Sequence, residues 1–172
     1  MTSKSILPEE QARALLALDD AALRQQLGLQ LSAMYTDPAR SLQPAPHPQA
    51  MAAMAPITLP PWVPAAVEAL VNRAAEELEK VLCSADPNYV DLRNKLINAT
   101  GLGEMALVEA VTVFLAGPLG ITLAVAGILA TIVVKTVGEP AINAGIEEIC
   151  KALGQRGTPA AGAAGAAGAA GG

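Results

Sequence analysis

The chain has 172 residues, room for one modest core with tails, and sets 11 Lys plus Arg against 16 Asp plus Glu for a net charge of −5. The few basic residues are scattered, which excludes an electrostatic footprint for nucleic acid and weakens charge-driven docking on an anionic membrane. Aromatic residues make up 2 % of a chain dominated by Ala, Leu, Val and Ile, so the expected fold class is all-α, a small helical bundle around a central hydrophobic helical hairpin.

The N-terminus, with Lys4 followed by Glu9 and Glu10, lacks the uninterrupted apolar run of a secretory signal. A first helix is expected with Ser5 as cap and Pro8-Glu9-Glu10 in its first turn, where a missing N–H and negative charge are tolerated. Asp19-Asp20 restarts the helix, and Gly28 is expected to close it near Leu31. Residues 1–35 therefore form an N-terminal helical segment, free either to pack on the body or to act as a tethered docking peptide. Residues 36–63 hold most of the 13 prolines and form a linker; His47 and Trp62 lie in it.

The body is expected over residues 64–154. After Pro64, the residues Val67, Leu70, Val71, Ala74, Leu78, Val81 and Leu82 recur at helical spacing, with Glu76 placed to pair with Lys80 four residues on. Asp86-Pro87 caps a helix carrying Tyr89, Val90, Leu96 and Ile97, which Gly101 ends. Glu139-Pro140 opens a last helix with Ile142, Ile146, Ile149, Cys150 and Leu153 on one face, and Glu147 able to pair with Lys151. Residues 155–172, in which Gly157-Thr158-Pro159 leads into Ala-Ala-Gly repeats, have no large apolar side chain to bury and read as a flexible tail.

Between these amphipathic helices runs an uncharged stretch, Ala110 to Val134, interrupted by Gly117-Pro118. A proline inside a helix costs about 3 kcal/mol or more, so a turn is expected there, with helices at Glu104 to Ala116 and Leu119 to Thr136 forming a hairpin over residues 104–136. Three readings compete. The hairpin is the covered core of a bundle, or it sits in a bilayer, kinked or inserted, with Lys135 snorkelling at its end. The third reading is a helical shell that shelters the hairpin and releases it to lipid. The residues expected at the lipid or partner are Val111, Phe114, Leu115, Leu119, Ile121, Leu123, Val125, Ile128, Leu129, Ile132 and Val133. Glu109, inside the first half, must reach water or a partner, or stay protonated.

Reactive chemistry is sparse. Gly101-x-Gly103-x-x-Ala106 has the spacing of a dinucleotide loop, but polar helix precedes it and apolar chain follows, so a helix-to-helix turn is expected. A single histidine makes no metal site. Cys83 and Cys150 are too few and too far apart for a disulfide framework or a zinc site, each ends the apolar face of a helix, and they read as small core residues in a reducing, intracellular compartment. No cofactor and no enzymatic activity are expected. The expected function is membrane association through the hairpin, the partner being a lipid bilayer; the alternative is a soluble interaction or self-association module, cytoplasmic, using the same surface.

Overall fold

The computed structural model describes residues 9–36 and 58–155. Among these the chain forms eight α-helices and no strand: α1 (Glu9–Ala17), α2 (Asp20–Thr36), α3 (Val63–Cys83), α4 (Val90–Gly101), α5 (Glu104–Leu119), α6 (Leu123–Val137), α7 (Glu139–Ala144) and α8 (Ile146–Gly154). The protein is an all-α bundle, as the composition implies. Ser5, Pro8, His47, most of the expected linker and nearly all of the expected tail lie outside the described residues.

α6 is the axis of the bundle. Every residue from Val125 to Val134 is buried, and the helix touches α1, α2, α3, α5, α7 and α8. A helix apolar on all sides is one that its neighbours bury, and the amphipathic helices supply that cover. From α3 come Val67, Val71, Ala74, Leu78, Val81 and Leu82, all buried as their spacing predicts; from α2 come Leu23, Leu27 and Leu31. α5 adds Leu107, Val108, Val111 and Leu115. The hydroxyls buried in this apolar pair bond within their own helices, Thr112 to the Val108 carbonyl at 2.7 Å and Thr131 to the Gly127 carbonyl at 2.8 Å.

Several local expectations shift. α2 does not end at Gly28 but runs through it to Thr36, and Gly28 lies buried against Leu59 and Val63. Asp19 does restart the helix, its carboxylate accepting the Ala22 N–H at 2.7 Å. α5 does not break at Gly117-Pro118. Proline clashes with the N–H and the Cβ of the residue before it; Gly117 has no Cβ, which removes part of that clash, and the helix continues to Leu119 and stops at Gly120 in the left-handed conformation, φ 60°. Thr122 then caps α6 by accepting the Val125 N–H at 3.4 Å.

The expected last helix is two, α7 and α8, divided at Gly145 with φ 107°. Asp86 caps as expected, accepting the Asn88 N–H at 2.9 Å, but opens a 3-10 turn, Pro87–Tyr89, before α4. On α4, Leu96 is buried while Val90 and Ile97 face outward. Lys80 pairs with Glu77 rather than Glu76, at 2.8 Å, and Lys151 with Glu148 rather than Glu147. In both cases the carboxylate three residues back is taken instead of the one four back.

Candidate functional site

The expected contact residues divide by depth. Val111, Leu115, Val125, Ile128, Leu129, Ile132 and Val133 are fully buried. Phe114, Leu119 and Ile121 are half-buried against the core, and Leu123 is 42 % exposed. Burial along α6 follows from its central place, so what the surface presents of the pair is its end. There Val113, 45 % exposed, and Leu123 stand beside the exposed Gly117, Pro118 and Gly120. The stretch from Ala110 to Val134 itself contributes no charged side chain to this end. Periodicity missed Val113, since a run apolar throughout gives no sign of which side faces out.

Tertiary contacts fix what lies near that end. Lys135, in the last turn of α6, donates to the Leu16 carbonyl at 2.9 Å and to the Leu18 carbonyl, at the passage from α1 to α2. α2 and α6 pack together from this corner. The C-terminal end of α2 and the N-terminal end of α6 therefore point to the same side of the bundle. Tyr35, on that end of α2, meets Trp62 edge-on with ring centroids 5.1 Å apart, and both rings are exposed. Two aromatic rings with polar tips thus share an end with the uncharged turn, an association the separate sequence positions do not reveal.

α2 is tied to α3 by Arg24, which bonds Asp20 at 2.6 Å and also bonds Glu68. Burial lowers the Arg24 pKa, but the hydrogen bonds to Asp20 and Glu68 outweigh it and leave the guanidinium above its ordinary value. On the inner side of α2, Gln26 is 3 % exposed and its Oε1 has no hydrogen-bond partner among the described residues.

Cys83 and Cys150 are joined in a disulfide with Cα atoms 5.8 Å apart, linking the end of α3 to α8. This corrects their reading as separate core residues; Cys83 is exposed. Each cysteine closes the apolar face of its helix, which places it at a helix seam but does not pair it with the other. Disulfides persist in oxidising surroundings, so a reducing compartment no longer has free thiols in its support. Beside the bond an open cavity of about 380 Å³ is lined by Glu76, Glu79, Lys80, Cys83 and Ser84. The hydrogen bond to Glu77, and then its charge, raise the Lys80 pKa.

Among the described residues no group of His, Cys, Asp and Glu is arranged to hold a metal ion. Gly101 and Gly103 form the turn between α4 and α5, with Gly103 at φ 105°, and no strand precedes them. Glu109 is half-buried on α5. No helix among the described residues is long and apolar enough to cross a membrane. Compared with protein-family models, curated proteins and solved structures, the chain matches none.

Proposed function

We propose that this is a non-enzymatic membrane-associating protein that keeps a hydrophobic hairpin, α5–α6, inside a helical shell and meets the bilayer first through the hairpin's uncharged end. The carrying observation is that end, with Val113 and Leu123 exposed and the Tyr35–Trp62 pair on the same side. Apolar side chains flanked by Tyr and Trp suit the headgroup boundary, where one part of a ring is dry and the other wet. At 16 and 15 residues, α5 and α6 are about 24 and 22 Å long against a hydrocarbon core of about 30 Å, so the reading is of docking and shallow entry, not a span. The burial of α6 favours a second reading, an interaction module in which the hairpin remains the core and the exposed end meets a protein or a second copy.

Trp62 is the only tryptophan in the chain and reports directly. With uncharged phosphatidylcholine vesicles the wild type is expected to float with the lipid and its fluorescence to shift to the blue. The double variant Val113→Asp, Leu123→Asp loses both responses, while Leu102→Asp, in the exposed turn between α4 and α5, keeps them. Absence of both responses in the wild type, together with a dimer on sizing, would instead establish the second reading.

A further inference from the structure

The Cys83–Cys150 bond closes a covalent loop running from the end of α3 through α4, α5, α6 and α7 into α8. Both members of the apolar pair lie inside that loop. α1 and α2 lie outside it, and the chain joins them to α3 through residues 37–62. We infer that α1–α2 is a detachable, autoinhibitory cover: it lifts as one unit from α5 and α6 while the stapled body α3–α8 stays folded, and the face it exposes is occupied by a bilayer. The occupant rests on the proposed membrane function; the detachment does not.

The cover is held chiefly by the burial of Leu15, Leu23 and Leu27, and its polar bonds set how readily it lifts. α1 has no basic residue in its last turn, and Lys135 of α6 caps it from across the seam. Such a bond between an ammonium and backbone carbonyls passes readily to water when the cover lifts. Gln26 works against closure. It lies between Leu23 and Leu27 on the buried face of α2, and its unpartnered carbonyl oxygen recovers a hydrogen bond only when water reaches it.

The apolar pair, by contrast, keeps its polar atoms satisfied without the cover. The Thr112 and Thr131 hydroxyls bond inside α5 and α6, and nothing polar is stranded there when α2 leaves. Towards α3 the cover must give up the Tyr35–Trp62 contact, the packing of Gly28 on Leu59 and Val63, and the partly exposed Arg24–Glu68 pair. Once α2 is away, one side of α6 faces outward, apolar except for Lys135 in its last turn, and an apolar phase bordered by water is the occupant that suits it.

Hydrogen exchange on the full-length, oxidised protein tests the detachment without any lipid. Amides of α1 and α2 are expected to exchange through an opening that leaves α3, α5 and α8 protected. Lys135→Met should speed exchange in α1–α2 by about tenfold, and Gln26→Leu should slow it by about tenfold, with α8 unaffected by either. Exchange of all helices in one cooperative step in the wild type would overturn the inference, whatever the variants do. Flotation with phosphatidylcholine vesicles then tests the occupant: Lys135→Met should bind more and Gln26→Leu less than wild type. Separate opening of α1–α2 with equal, or no, vesicle binding by all three proteins would uphold the cover and overturn the bilayer as its occupant.

Discussion

Gly28 and Gly101 both sit in helices, yet a methyl group meets opposite surroundings at the two positions. At Gly28 a Cβ would lie 2.8 Å from Leu59 Cδ1 and 2.9 Å from Val63 Cγ1; at Gly101 it would meet nothing within 4 Å. Replacing helical glycine by alanine gains up to about 1 kcal/mol in propensity, while overpacking a core costs about 1–3 kcal/mol. Val63 is β-branched and fully buried, so it has little room to yield. Gly28→Ala is therefore expected to destabilise the protein, and Gly101→Ala to stabilise it by about 0.4–1 kcal/mol. Urea midpoints of the two variants, moving in opposite directions from wild type, check both. Gly28 thus serves the approach of α2 to α3 rather than the end of a helix.

At the scale of elements, two helices end on cations supplied by other helices. Lys135 of α6 caps α1, and Arg93 of α4 caps α3 by donating to the Val81 carbonyl at 3.0 Å and to the Ser84 carbonyl. The last carbonyls of a helix have no partner within it, and these charges fill that need while fixing how neighbouring helices sit. Arg93→Met should cost about 1–3 kcal/mol, seen as a lower thermal midpoint and faster exchange in the last turn of α3. Lys151→Met, which removes an exposed pair with Glu148 inside a single helix, should leave the midpoint unmoved. Cross-helix caps and surface pairs look alike in sequence but differ in what they hold together.

Across the whole molecule, the disulfide is the longest-range covalent constraint among the described residues, joining positions 67 apart. Loop entropy for that separation corresponds to about 4 kcal/mol of stabilisation, of which native proteins commonly realise about 2–4. Reduction with dithiothreitol, or Cys83→Ser with Cys150→Ser, is expected to lower unfolding stability by about 2–4 kcal/mol in urea. Unchanged midpoints would show that the bond adds nothing to packing that already holds α8 on α3. The same bond separates a stapled body from an unstapled N-terminal unit, and so gives the bundle a seam that its hydrophobic core alone would not have.

The helical class, the amphipathic face of α3, the helix restart at Asp19-Asp20, the cap at Asp86 and the uncharged stretch were all legible in the chain, because each depends on residues within one or two turns of one another. The break in α5 was displaced by three residues because Gly117 relieves part of the clash that Pro118 would otherwise impose. Val113 and the shared end with Tyr35 and Trp62 were not legible, since an apolar run carries no phase. The Cys83–Cys150 pairing and the Lys135 cap join residues far apart in the chain, and their geometry exists only once α8 lies on α3 and α1 on α6. Local chemistry thus determined that an apolar helix pair would form and need cover. Packing decided which faces the cover leaves open, because burial belongs to the neighbours of a side chain and not to its place in the sequence.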